Sequence, residues 1–186
     1  MRIIAGTLKH RTVPSPPGVG TRPTSDRGRE TLFHVLEHHW LFDDCRVLDL
    51  YAGSGALGFE SLSRGASTAT FIDLSADVCR QLRSTAISLG VSDVVRIIRA
   101  DAVEYLRHGN PHVNDIVFVD PPYAHKSCNV VTTLLLQSNA LIAGGLVALE
   151  HSDQEHLLPI DGLELLRRIE MGLTTFDVLR RVSPIT

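Results

Sequence analysis

The 186-residue sequence contains only three cysteines, six phenylalanines and one tryptophan, and it has no long uninterrupted apolar segment. Cys45, Cys79 and Cys128 are scattered and odd in number, which argues against a disulfide framework and against a zinc site. The most apolar stretch, residues 130–149, is interrupted by polar residues and two glycines, so no membrane-spanning helix is predicted. The first residues lack the apolar region of an export signal, and we expect a cytoplasmic protein.

The charged residues are unevenly distributed along the chain. The net charge is −3, yet residues 1–30 carry six basic and two acidic side chains, while the remainder has a net charge of −7. A basic segment on an acidic body is typical of proteins in which that segment contacts phosphate, although a solvated tail with incidental charge gives the same pattern. The six basic residues are Arg2, Lys9, Arg11, Arg22, Arg27 and Arg29.

A stretch rich in proline and glycine, residues 14–20, separates this basic segment from the rest of the chain. We therefore predict two units. The first is a small N-terminal arm over residues 1–22, and the second is a body over residues 23–186.

Strand and helix patterns alternate through the body after a first helix that ends near His39. Repeated strand–helix units followed by two adjoining strands predict an α/β fold, with a doubly wound, mostly parallel seven-stranded sheet and an antiparallel edge hairpin. Ligands of such sheets bind at the carboxyl ends of the strands. The predicted strands are residues 46–50, 68–72, 94–98, 116–119, 146–149, 163–169 and 173–181, and the later helices are 56–63, 76–89, 102–107 and 130–137.

A glycine-rich segment with Gly53, Gly55 and Gly58 follows the first predicted strand. These glycines, with Asp73 about twenty residues further on, match the fingerprint of dinucleotide-binding proteins, so a nicotinamide or flavin enzyme is one interpretation. Asp49 argues against it, because a carboxylate just before the glycine turn would repel a pyrophosphate. The same carboxylate suits a ligand that is cationic there, such as S-adenosylmethionine with its ammonium and sulfonium groups.

Acidic residues also follow the second and third predicted strands. Asp73 can accept hydrogen bonds from both hydroxyls of a ribose, and Asp101 can accept one from the amino group of an adenine. Either residue alone is explained by a helix N-cap or by a solvated loop. Acids at three successive strand ends are less easily explained in that way.

The fourth strand ends in Asp120-Pro121-Pro122-Tyr123, the most specific motif of the chain. A stiff turn out of the sheet would explain the paired prolines. Prolines also lack N–H groups, so the Asp120 oxygens and the Pro121 carbonyl are left to accept from an exocyclic amino group. Holding both hydrogens favours a pyramidal nitrogen aligned with a sulfonium methyl, and Tyr123 can stack on the base. Asp120 can then take the released proton, and no metal is required.

The glycine segment and the tetrapeptide resemble those of class I, Rossmann-like methyltransferases that act on amino nitrogens. Residues 2–6, 22–27, 29–33, 52–58 and 118–123 are similar to the corresponding segments of the RsmD-type 16S rRNA guanine-N2 methyltransferases. The resemblance runs over nearly the whole chain. It implies S-adenosylmethionine-dependent methylation of guanine N2 in 16S rRNA, by a monomer that acts on a largely assembled small ribosomal subunit and not at a membrane.

The resemblance also assigns roles to individual residues. In that family a small amino-terminal β-hairpin helps to bind rRNA, so the six basic residues of residues 1–30 become candidates for RNA contacts. Asp120, Pro121, Pro122 and Tyr123 would hold the flipped guanine at the catalytic centre. The expected cofactor-binding residues are Asp49, Tyr51, Gly53, Ser54, Gly55, Asp73, Leu74, Asp101 and Ala102.

Other functions are compatible with parts of the pattern. Adenine-N6 DNA methyltransferases carry a similar tetrapeptide, but a sequence-specific DNA enzyme usually needs a further recognition domain, and shape-based RNA recognition suits a short chain better. Methylation of protein glutamine is disfavoured because that branch usually carries Asn in place of Asp120. A non-catalytic RNA-binding ribosome-assembly factor is disfavoured because all four strand-end acids are present. His34 and His38 could share a helix face, but without a third ligand no metal site is predicted.

Overall fold

The computed structural model describes residues 1–15, 26–108, 112–121, 128–152, 160–172 and 174–182. Within these residues the chain forms seven strands and five α-helices, with a 3₁₀ turn at Ser92–Val94. The strands are β1 Arg46–Leu50, β2 Thr68–Asp73, β3 Val95–Arg99, β4 Asn114–Val119, β5 Leu141–Ser152, β6 Leu163–Met171 and β7 Thr174–Arg181. The helices are α1 Asp26–His39, α2 Ala56–Ser63, α3 Ala76–Leu89, α4 Ala102–Arg107 and α5 Cys128–Gln137.

The described strands form one sheet in the order β3-β2-β1-β4-β5-β7-β6. β1 to β5 pair in parallel with one another, and β7 pairs antiparallel with both β5 and β6. The predicted α/β fold, mostly parallel with an antiparallel edge pair, is therefore confirmed. The chain proceeds outward in one direction from β1 and in the other from β4, so the crevice between the carboxyl ends of these two strands is the expected ligand site.

Most helix and strand limits agree with the sequence patterns, but β5 is longer than predicted. The sequence predicts a strand over residues 146–149, whereas β5 spans Leu141–Ser152. Gly144 adopts φ 79° inside the observed strand. The pairing with β4 shifts register between Asn114 and Ile116, which accommodates the irregularity.

The two faces of the sheet carry separate apolar clusters. Phe71, Phe118 and Phe176 lie on one face, against which α1, α2 and α3 pack, and we call it the phenylalanine face. The opposite face packs against α4 and α5. β4 is buried along its whole length, as expected for an inner parallel strand. Among the described residues, no helix has the length and apolarity that crossing a membrane would require.

The N-terminal arm packs against the body. Residues 1–13 fold back on themselves through one antiparallel bridge, between Arg2 and Thr12, so the expected β-hairpin is present only as this short pairing. The Ile3 N–H donates to the Arg11 carbonyl at 2.9 Å. Ile3 and Val13 are each 1% exposed and belong to the core of the phenylalanine face. The predicted boundary after residue 22 lies outside the described residues.

Candidate active site and arm

A turn with left-handed backbone connects β1 to α2. Tyr51, Gly53 and Gly55 adopt φ values of 59°, 53° and 77°, a region that glycine enters without steric cost. The Gly55 N–H donates to the Ala52 carbonyl at 2.7 Å, and the Ala52 N–H donates to Ile72 of the neighbouring strand at 3.0 Å. The turn is therefore held at the carboxyl edge of the sheet, with Ser54 partly exposed on it.

Asp49 is buried on the phenylalanine face and binds the first turn of α2, which directly follows the glycine turn. One of its oxygens accepts from the Gly58 N–H at 3.0 Å, and a Cβ at position 58 would overlap the Phe71 ring. Burial raises the pKa of Asp49 to about 8; the Gly58 hydrogen bond lowers it, and the charge of Asp73 raises it further. Asp49 therefore holds a proton readily unless a positive charge lies nearby.

Asp73, at the end of β2, ties two loops together. Its Oδ2 accepts from the Gly53 N–H at 3.0 Å, and its Oδ1 accepts from the Ser75 N–H at 2.8 Å. Each carboxylate oxygen has two lone pairs, so both can accept a further hydrogen bond from a ligand. Leu74 follows it with 64% of its surface exposed. An apolar side chain therefore lies beside the acceptor at this edge.

Asp101 is the N-cap of α4. Its Oδ1 accepts from the N–H groups of Val103 and Glu104 at 2.9 and 3.0 Å, so the structure shows the capping role that its sequence position also allows. Asp101 is half-buried and Ala102 is buried. A contact between Asp101 and a ligand stays a prediction.

Asp120 comes directly after β4 and is half-buried. It lies on the phenylalanine face, two residues beyond Phe118, which pairs with Asp49 in the parallel register. Burial raises the pKa of Asp120 well above its ordinary value, and the charges of Glu150 and Asp49 and a hydrogen bond with Glu150 add to the rise. Pro121 is buried beside it, whereas Pro122 and Tyr123 of the predicted motif lie outside the described residues.

Glu150 is a site residue that the sequence interpretation missed. It lies on β5 directly after the apolar run that ends at Leu149, and it is 5% exposed. The signal was the one already used for the other strands, an acid at the end of a buried strand. The predicted strand, residues 146–149, ends directly before Glu150, so the sequence already carried this signal; the observed β5 continues for two residues beyond it.

The six basic side chains of residues 1–30 are placed differently from one another. Arg2, Lys9, Arg11 and Arg27 are exposed. The Arg11 guanidinium donates to the Ser88 carbonyl at the end of α3, and Arg2 lies 3.3 Å from the Asp26 carboxylate. Arg22 lies outside the described residues.

Arg29 corrects the expectation that all six cations contact RNA. Its side chain is 2% exposed, and it donates to the Arg2 carbonyl and to the Asp26 carboxylate, both at 2.8 Å. A guanidinium enclosed in this way cannot reach a phosphate without unfolding its surroundings. In this structure Arg29 anchors the arm to α1.

Glu60 is the second anchor of the arm, and nothing in the sequence pointed to it. This fully buried side chain accepts from the N–H groups of Ile4 and Ala5 at 2.7 and 3.0 Å and from Arg64 at 2.8 Å. Gly6 then passes so close to α2 that a Cβ there would overlap the Ser63 carbonyl. The described residues hold no cluster of three or more potential metal ligands.

Comparison with known proteins places the chain among methyltransferases. The family model described as conserved hypothetical protein 95 matches residues 1–180. The ribosomal RNA small subunit methyltransferase D of Haemophilus influenzae is 34% identical over 179 residues, which cover 95% of this chain and 91% of that protein. The protein of the same name from Escherichia coli K12 is 39% identical over 160 residues, covering 86% and 78%.

Solved structures share the fold. The Escherichia coli candidate methyltransferase yhhF superposes with a TM-score of 0.87 at 33% identity, over 98% of both chains. An RNA methyltransferase from Salinibacter ruber, solved in complex with S-adenosyl-L-homocysteine, gives a TM-score of 0.65 over 89% of this chain and 97% of that one. The second likeness, at 16% identity, supports the fold alone.

Proposed function

Because this chain belongs to the family of conserved hypothetical protein 95 and the ribosomal RNA small subunit methyltransferases D, we propose that it methylates small-subunit rRNA. The methyl donor is S-adenosylmethionine, and the acceptor is the exocyclic N2 of a guanine. The observation that carries the proposal is the position of Asp120. Its carboxyl group lies at the end of a central strand, on the same face as Asp49 and beside the glycine turn.

The residues around the glycine turn fit such a donor. A Cβ at Gly53 would meet nothing nearer than the Tyr51 carbonyl at 3.8 Å, so a ligand can approach this backbone closely. Asp73 and Asp101 offer acceptors for the hydroxyl and amino groups of a nucleoside, and Leu74 offers an apolar surface for a ring. When bound, S-adenosylmethionine supplies an electrophilic methyl group on a sulfonium.

Asp120 and Pro121 account for the activation of the acceptor. An exocyclic amino group is a poor nucleophile because its lone pair is delocalised into the ring. The Asp120 carboxylate and the Pro121 carbonyl can each accept one of its hydrogens, which orients the lone pair away from the ring. Asp120 can then accept the proton that the nitrogen loses. Tyr123 stays the predicted stacking partner of the base.

The arm supplies the proposed RNA contacts. Arg2, Lys9 and Arg11 present positive charge to solvent on the arm, which Arg29 and the α2 helix hold in place, and Arg27 adds an exposed cation on α1. Cations that neutralise phosphates would give a salt-dependent, shape-based interaction. Action on a largely assembled subunit, a monomeric state and a cytoplasmic location are further parts of the proposal.

A methyl-transfer assay tests the proposal. Purified protein and labelled S-adenosylmethionine would be offered unmethylated small ribosomal subunits, naked rRNA and duplex DNA, and the products would be analysed as nucleosides by mass spectrometry. We expect N2-methylguanosine from the ribosomal substrate. Label in N6-methyladenine from DNA would overturn the target while keeping the chemistry, and the absence of label with every substrate would contradict an enzymatic role.

A further inference from the structure

Glu150 lies beside Asp120 at the carboxyl edge of the sheet. β4 and β5 are parallel, and Val119 pairs with Leu149, so the next residue of each strand falls at the same level. Side chains alternate along a strand, and both residues therefore lie on the phenylalanine face. The two carboxyl groups are therefore neighbours, and a hydrogen bond with Glu150 is among the causes that raise the pKa of Asp120.

A hydrogen bond between two carboxyl groups needs a proton, because an ionised carboxylate can only accept. The raised pKa of Asp120, caused first by burial and then by Glu150 and Asp49, agrees with this geometry. Two carboxyl groups that share a site cannot both ionise easily. The pair therefore holds one proton more readily than an isolated carboxyl group and titrates as a unit.

The two members of the pair differ in accessibility. Glu150 is 5% exposed, whereas Asp120 is half-buried and is the member nearer to solvent. On β7, Phe176 pairs with Glu150, and Asp177 lies on the opposite face of the sheet. Within the described residues, the charged neighbours that act on Asp120 are thus Glu150 on β5 and Asp49 on β1.

Arg29, a buried cation of α1, does not act on the pair formed by Asp120 and Glu150. Arg29 is bonded to the arm and to Asp26, and it is not among the groups that shift Asp120. Among the described residues, the groups that act on the shared proton of Asp120 are therefore two acids and no cation.

We infer that Glu150 is a positioning residue for the methyl transfer proposed above: by donating the shared proton to one oxygen of Asp120, it fixes the other oxygen as the acceptor for the reacting amino group. The inference rests on the proposed function. During transfer the methyl–sulfur bond breaks with its electron pair left on sulfur, and the nitrogen lone pair forms the new bond to carbon. The nitrogen proton passes to Asp120 and then to water, while the shared proton stays with Glu150 and is not consumed.

Two substitutions separate this role from a purely structural one. Glu150→Gln replaces the proton donor by an amide N–H that can still donate to Asp120 but cannot lose its proton. Glu150→Ala removes the donor altogether. We expect the Gln variant to keep kcat within about threefold of the wild type, and the Ala variant to lose about tenfold or more in kcat with unchanged KM for cofactor and RNA.

The pH profile of kcat supplies the second readout. Because the pKa of Asp120 is raised by burial and by Glu150, the pair loses its shared proton at a higher pH than an isolated carboxyl group would. The wild type should therefore lose activity on the alkaline side as the two carboxylates begin to repel each other. The Gln variant has no such proton to lose, so its alkaline decline should be weaker or absent.

Asp115→Asn is the matched control. Asp115 is a buried carboxylate at the other end of β4, where it pairs with Arg46 at 3.0 Å. Its replacement is expected to lower stability without changing the alkaline limb. Cofactor titration and thermal unfolding of every variant show whether a loss of kcat occurs in a folded, cofactor-binding protein.

The outcomes distinguish this inference from the proposed function. An inactive wild type contradicts the proposed function itself. An active wild type with Gln and Ala variants of equal kcat, or with an alkaline limb that Glu150→Gln leaves in place, overturns the role of Glu150 alone. Equal losses in cofactor binding and in kcat would assign Glu150 to folding and would also refute the inference.

Discussion

Replacing Glu60 by Ala tests whether the arm depends on one buried carboxylate. Glu60 is fully buried and accepts the N–H groups of both Ile4 and Ala5. A hydrogen bond to a charged group contributes about 1.5–3 kcal/mol, and the substitution removes two such bonds to the arm. Because a released arm can hydrogen-bond to water, we expect a loss near the lower end of the sum, about 3 kcal/mol in the free energy of unfolding.

Glu37→Ala is the matched control for that substitution. Both glutamates bind Arg64, but the Glu37 side chain is 39% exposed and makes a surface ion pair with it at 2.6 Å. Surface pairs contribute about 0–1 kcal/mol, so this variant should unfold almost like the wild type. The two variants thus share the loss of an Arg64 partner and differ in the anchoring of the arm.

The assay combines urea unfolding with two binding measurements. Glu60→Ala should weaken RNA binding, because the arm no longer holds its cations in one place, while cofactor affinity stays unchanged. A stability loss below about 1 kcal/mol, the same as for Glu37→Ala, would refute the anchoring role. A parallel fall in RNA and cofactor affinity would show instead that α2 as a whole has been disturbed.

The remaining predictions concern the site carboxylates and the arm. Asp120→Ala should lower methyl transfer by about 10²-fold or more while calorimetry still detects cofactor binding; transfer near the wild-type rate would exclude Asp120 from the chemistry. Arg27→Glu should weaken RNA binding more than Arg167→Glu, a control on the exposed edge strand β6, and equal effects in filter binding would remove the start of α1 from the interface. Asp49 has a pKa of about 8 in the fold against 3.8 ordinarily, so the folded state binds more protons and stability should fall as pH rises between these values. Asp49→Asn should flatten that decline in urea unfolding at about pH 5 and about pH 8, and an unchanged slope would contradict the assignment.

The sequence predicted the sheet and most of the crevice because the signals there are local. α2 was predicted at its observed limits, Ala56–Ser63, since the glycine turn and the following helix are adjacent in the chain. Asp49 and Asp120 were recognised as strand-end acids for the same reason. For β5 the sequence predicts only the apolar run of residues 146–149, and the pairing with β4 and β7 shows that the strand continues on both sides of it.

The anchoring of the arm could not be predicted because it depends on contacts between distant parts of the chain. Glu60 binds residues 55 and 56 positions earlier, and within α2 it reads as an ordinary surface acid. Arg29 was expected to contact RNA because its position in a basic segment suggests exposure, yet the folded arm encloses it. Glu150 follows a predicted strand as Asp120 does, but only the pairing of β4 with β5 brings the two carboxyl groups together.

The carboxyl groups of the crevice are better explained by ligand binding than by stability. Asp49, Asp120 and Glu150 lie on one face, and burial raises the pKa of the first two, which is the sign of an environment unfavourable to their charged forms. Apolar side chains of similar volume would pack there without that cost. A ligand with a positive charge would relieve the repulsion among these groups, and an amino group would use the acceptor that Asp120 presents. The arrangement therefore suits the proposed pair of a cationic methyl donor and an exocyclic amine, and it disfavours a ligand that brings a pyrophosphate to the same turn.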